Sequence, residues 1–133
     1  PKAGDGEFAP FFGVQALTMT LLARLAQRTG ATVLLAWCER IDGGPGFALH
    51  LEPAPAAMAD ADGPRAVAAL HAQVERIAAR DLAQYQWTYK RYTLRPDGSG
   101  QPNPYSHPDQ PASSYRDRPD RDDPAGSTAA AAR

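Results

Sequence analysis

The chain has 133 residues, 14 basic and 15 acidic side chains, a net charge of −1 and one cysteine. That length holds one small domain with one core, or a piece of a larger one. The charge balance excludes broad, sequence-independent nucleic-acid binding, which runs on phosphate neutralisation, and a lone Cys38 excludes an internal disulfide framework and fits a reducing compartment. No run approaches the roughly 20 apolar residues of a membrane-spanning helix, and no charged-then-apolar signal segment opens the chain. Pro1 stands where an initiator Met would, which fits a segment of a longer protein.

In chain order, Lys2 to Phe8 contains Gly4 and Gly6 but neither a dinucleotide fingerprint nor a P-loop ending, so it reads as a flexible turn. Phe11-Phe12-Gly13 follows as an apolar loop at a helix entrance. Leu17, Leu21 and Leu25 recur every four residues, widened by Met19, Leu22 and Ala26, and predict a helix over 16–29 with Gly30 as a left-handed cap. The run 32–38, TVLLAWC, is too short for a typical helix and predicts a strand buried on both faces. Beyond the turn DGGPG, FALHLEP alternates, with Phe47, Leu49 and Leu51 on one side and Ala48, His50 and Glu52 on the other. It predicts a hairpin partner with one wetter face, nearer the sheet edge.

After a Pro/Ala/Asp-rich loop over 53–63, Pro64 suits a first helical position, and Val67, Leu70, Val74 and Ile77 form the stripe of a second helix. Asp81 is positioned to cap a short final helix that carries Tyr85 and Trp87. From Pro96 onward aliphatic side chains almost vanish among Pro, Gly, Ser and alternating charges, so residues 96–133 are expected to be a disordered tail and residues 1–95 the folded part. Helix, buried strand, edge strand and helix imply an α/β layer. One hairpin is too little sheet for two helices, so strands are missing from this reading.

Chemistry is sparse. His50, His71 and His107 are expected to be ordinary exposed or boundary histidines, with an i,i+4 pairing open to His71 and Glu75. No paired ligand spacing suggests a metal. Every serine lies in the tail, where nothing would hold the geometry of a triad. The segment YQWTYKRYTLRP interleaves Trp87, Tyr89 and Tyr92 with Lys90, Arg91 and Arg95. Such rings and cations grip phosphates or sugars, and the competing account is a closing helix with solvated cations.

Phe11-Phe12-Gly13 followed by Ala16-Leu17-Thr18, and then Gln84-Tyr85-x-Trp87 with Tyr89-Lys90-Arg91-Tyr92, resemble in that order the C-terminal half of the bacterial lipid A biosynthesis (lauroyl/myristoyl) acyltransferase family, across residues 1–96. The resemblance implies a partial layered αβα domain, glycerolphosphate-acyltransferase-like, belonging to a protein on the cytoplasmic face of the inner membrane. It implies an acyl carrier protein thioester as donor, a hydroxyl of a Kdo-bearing lipid A precursor as acceptor, and no metal or redox cofactor. The expected base is a His-x-x-x-x-Asp/Glu histidine, but Pro55, Arg76 and Ala112 stand five residues after the three histidines. The dyad and the membrane anchor are therefore expected upstream, and this piece, itself soluble, is expected to be inactive alone.

By the same resemblance Phe11, Phe12, Gly13 and Thr18 would line the approach to the acyl or acceptor site, although both rings could equally anchor the loop in the core. Arg40, Lys90, Arg91 and Arg95 would meet the precursor's phosphates, acidic sugars or anionic headgroups. The alternative is a non-catalytic module that holds an anionic ligand at residues 90–95, with single-stranded nucleic acid a weaker third reading.

Overall fold

The computed structural model describes residues 6–105. It is a small mixed α/β arrangement of two antiparallel hairpins and two helices. The first hairpin joins β1 (Gly6–Phe11) to β2 (Val14–Met19) with Phe11 opposite Val14, Ala9 opposite Ala16 and Glu7 opposite Thr18. Its two-residue turn is Phe12-Gly13, with φ of 47° and 77°. Positive φ at both turn positions is the primed geometry that matches strand twist, and only the second position here is glycine.

The helix expected over 16–29 is therefore split. Residues 14–19 pair as a strand, and α1 covers only Leu21–Thr29, ending on Gly30 in the left-handed conformation with its N–H on the Ala26 carbonyl. Leu17 belongs to the strand, where one face has period two; the fourfold spacing to Leu21 bridges two elements. The buried side of α1 is its alanines, Ala23 and Ala26, whereas Leu21 and Leu25 are about half exposed.

The second hairpin pairs β3 (Leu34–Arg40) with β4 (Phe47–Pro53), from Leu34 opposite Pro53 to Arg40 opposite Phe47. The hairpin stands as expected, but β3 is not buried on both faces. Leu35 is buried, while Leu34, Ala36 and Cys38 are exposed. The polarity of β4 is also inverted: Phe47, Leu49 and Leu51 lie open, Leu49 at 64% exposure, and His50 and Glu52 are half-buried. The reason is α2 (Gly63–Ala78) and the residues just after it. Arg76 pairs with Glu52 and lies over the Trp37 ring, and Arg80 bonds Glu39 at 3.0 Å, so polar contacts face the helix.

Between β4 and α2 a single 3₁₀ turn, Ala56–Ala59, buries Met58, and Gln27 of α1 donates to the Asp60 carbonyl. Helix α2 starts with Pro64 in its first turn, as expected, and lays Ala66, Val67, His71 and Ala78 into the core. Its approach to the first hairpin is close because the facing strand residues, Ala9 and Ala16, are small and fully covered.

No final helix forms. Residues 79–105 run as turns, and Asp81 accepts from the Ala83 N–H and the Gln84 side chain rather than opening a helix. The expected tail begins inside the described range, where 96–105 contain neither helix nor strand; its remainder, with His107, lies outside the described residues.

Candidate functional site

The register of the first hairpin separates its two phenylalanines. Phe11 shares the inward face with Ala9, Ala16 and Thr18 and is 1% exposed, whereas Phe12, in the turn, is 40% exposed. The Phe11 ring meets Phe12 edge-on at 4.9 Å and His71 at 5.3 Å, with Tyr85 and Tyr92 tilted beyond them. Phe12 reaches outward to Trp87 at 5.9 Å, and Trp87 to Tyr85 at 4.7 Å. The turns after α2 thus fold back onto the hairpin. Tyr92 fixes that return by donating its hydroxyl to the Phe11 carbonyl at 2.9 Å, and burial pushes its phenol pKa up.

Arg91 sits on this ring cluster. Its guanidinium carbon lies 4.4 Å from the Phe11 ring centre and 5.4 Å from that of Tyr89, and it donates to the Tyr85 hydroxyl at 3.2 Å. Arg95 lies over Tyr92, donates to the Pro102 carbonyl through Nε, and keeps a buried Nη1 without a hydrogen-bond partner among the described residues. Lys90 is exposed. Among the described residues the ion pairs run to His50, Arg65, Arg76 and Arg80, and none reaches Lys90, Arg91 or Arg95. A cation stacked on rings and not ion-paired to a carboxylate among the described residues is a ready partner for an anion.

Arg40 does not join this group; it lies over Phe47 on the open face of the second hairpin, and its backbone N–H goes to Gln84. Gly13 forms the turn beside Phe12. Thr18 points into the hairpin–helix interface, where its hydroxyl lies 2.7 Å from His71 Nε2. Of the residues singled out by resemblance, Phe11 contacts both Phe12 and Arg91, Arg95 follows through Tyr92, Thr18 shares the inward face with Phe11 but reaches His71, and Arg40 lies on the second hairpin.

His71 is the residue most at odds with expectation. It is 1% exposed, not a boundary histidine, and it does not hydrogen-bond Glu75. Glu75 instead accepts the Phe12 backbone N–H at 2.7 Å. Burial drives the His71 pKa below the ordinary imidazole range, opposed by its bond to the Pro10 carbonyl, while Arg91 adds to the lowering and Glu75 opposes it. The spacing of His71 and Glu75 on one helix face was visible in the sequence; their separate partners on the hairpin were not.

His50 stacks flat on Trp37 at 4.8 Å, and its Nε2 lies 3.0 Å from Glu39 Oε2. The Arg80 hydrogen bond to Glu39, opposed by partial burial, holds that carboxyl below its usual range. A cavity of about 310 Å³ opens beside these residues, between β3 and the end of α2, with Trp37, Val74, Ile77 and Tyr85 in its wall. None of the described helices is long and apolar enough to cross a membrane.

Compared with known proteins, residues 2–93 match the family described as bacterial lipid A biosynthesis acyltransferase. A comparison with curated proteins finds no match.

Proposed function

Because the chain belongs to the bacterial lipid A biosynthesis acyltransferase family, we propose that it forms the substrate-holding part of an enzyme that moves a fatty acyl chain from acyl carrier protein to a hydroxyl of a Kdo-bearing lipid A precursor. In this reading the segment takes its place in a layered αβα, glycerolphosphate-acyltransferase-like domain at the inner membrane. The exposed Phe12–Trp87 pair offers flat apolar area to an acyl chain. Arg91, with Lys90 and Arg95 beside it, takes a phosphate of the acceptor. The observation that carries this reading is the Arg91 guanidinium held over Phe11, with no ion-pairing carboxylate among the described residues, next to those open rings.

The base of the transfer comes from outside these residues. None of the three histidines carries an acidic residue five positions on, and the buried one is engaged on both ring nitrogens. The 133-residue chain should therefore bind a phosphorylated lipid A precursor without acylating it. Titration with precursor micelles tests the reading: Arg91→Ala should weaken binding about tenfold or more, the scale of one charge-assisted hydrogen bond, and should flatten its dependence on salt. Equal affinity and equal salt dependence would remove Arg91 from the site. Turnover of acyl carrier protein substrate by this chain alone would overturn the assignment of the base. The missing motif also favours a second reading, a non-catalytic anionic-ligand module, which predicts the same binding but no dependence on the acyl chains of the precursor.

A further inference from the structure

His71 lies among three elements, and both of its ring nitrogens are engaged. Nδ1 is 2.9 Å from the Pro10 carbonyl oxygen on β1, and Nε2 is 2.7 Å from Thr18 Oγ1 on β2. A carbonyl only accepts, so Nδ1 carries the hydrogen. In the neutral imidazole Nε2 is then bare and accepts from the Thr18 hydroxyl. One side chain of α2 thus ties both strands of the hairpin, and Glu75, one turn on, holds the Phe12 N–H of the connecting turn.

We infer that His71 is a proton-sensitive positioning residue: in its neutral form it clamps the first hairpin onto α2 and so fixes the Phe12-Gly13 turn, and on protonation it releases that turn. Protonation puts a second hydrogen on Nε2, and the Thr18 hydroxyl loses its acceptor. The imidazolium is then fully enclosed, with the Phe11 ring on one side. The charged groups around it do not rescue it. Glu75 on α2 favours the cation, but it is the weakest of these influences and burial the strongest; Arg91, from the turns after α2, repels it. β1 and β2 contribute the Pro10 carbonyl and the neutral Thr18, and the Tyr92 phenol beyond Phe11, whose pKa burial raises, adds no charge at neutral pH. Hydration of the imidazolium requires His71 to leave, which breaks its bonds to both strands together. Phe12 then keeps only the Glu75 bond and its ring contacts to hold it at φ 47°, a conformation that a non-glycine residue keeps only when its surroundings impose it.

Because His71 has a lowered pKa in the folded chain, the clamp is at full strength above the ordinary histidine range and weakens as pH falls through that range toward the depressed folded value. The inference concerns the chain's own turn and stands whether or not the turn meets lipid. Amide hydrogen exchange at Phe12 in the 133-residue chain, corrected for intrinsic exchange, tests it between pH 8 and 5. The opening constant should rise by up to about tenfold per pH unit below the ordinary histidine range, the limit for uptake of one proton. His71→Asn, whose amide N–H still reaches for the Pro10 carbonyl and does not titrate, should show a flat profile. Glu75→Gln should keep the slope while lowering protection at every pH. Flat wild-type protection, or an unchanged slope in His71→Asn, would overturn the inference. If His71→Asn does not fold, the wild-type imidazole titration followed by NMR decides: a midpoint that coincides with the loss of Phe12 protection supports the clamp, and a separate midpoint refutes it.

Discussion

Replacing Phe11 tests the packing of the ring cluster. Its ring is 1% exposed and touches Phe12, His71, Tyr85, Tyr92 and the Arg91 guanidinium, so Phe11→Ala removes a whole buried ring and leaves a cavity with walls on three elements. Transfer of the ring accounts for about 1.5–3 kcal/mol. The cavity and lost ring contacts bring the total to about 3–5 kcal/mol. Phe11→Leu refills most of that space but loses the edge contacts and the cation over the ring, at about 1–2 kcal/mol. Small domains hold on the order of 5–15 kcal/mol in all, so the first change should strip much of the stability and the second should leave a folded chain. Urea unfolding followed by far-ultraviolet circular dichroism measures both. A loss below about 1 kcal/mol for Phe11→Ala, or equal losses for the two variants, would refute this account of the cluster.

Other substitutions probe the hairpin. Thr18→Val keeps the shape of the side chain but takes the donor away from a buried imidazole nitrogen, and should cost about 1–3 kcal/mol in thermal unfolding, with Thr18→Ser recovering most of it. Phe12→Asn places the favoured Asn-Gly pair in a turn whose first position has positive φ, so the melting temperature should hold or rise, while affinity for acylated micelles falls roughly fivefold through loss of about 1 kcal/mol of ring contact. A drop in stability there would show that the ring, not the backbone, holds the turn. Gly6→Ala sets a Cβ 2.7 Å from the Thr18 carbonyl oxygen, and faster amide exchange at the start of β1 and the end of β2 is the expected result.

Much of the local structure was legible because it is encoded by neighbours in the chain. Pro64 and the Val67–Leu70–Val74–Ile77 spacing mark α2, Gly30 marks the end of α1, and the turn DGGPG between two apolar stretches marks the second hairpin. The first hairpin was hidden because Leu17, Leu21 and Leu25 keep a helical spacing across a strand and a helix. Only the pairing, from Phe11 with Val14 to Gly6 with Met19, shows where the strand stops. The stacked Arg91 illustrates the same division: its place in a basic aromatic segment is visible in the sequence, and its seat on Phe11 is not.

Composition and spacing determined that this chain has a small apolar core, a cluster of rings and cations just ahead of the Pro-rich tail, and no acidic partner five residues after any histidine. Tertiary structure alone decided which face of each element is inside. The hairpin register buries Phe11 and leaves Phe12 open, the pairs that Arg76 and Arg80 make with Glu52 and Glu39 turn the leucines of β4 outward, and two strand partners convert His71 from a surface histidine into a clamp. Burial is a property of long-range contacts, and residues as far apart as Phe11 and Tyr92 carry no local sign that they will meet.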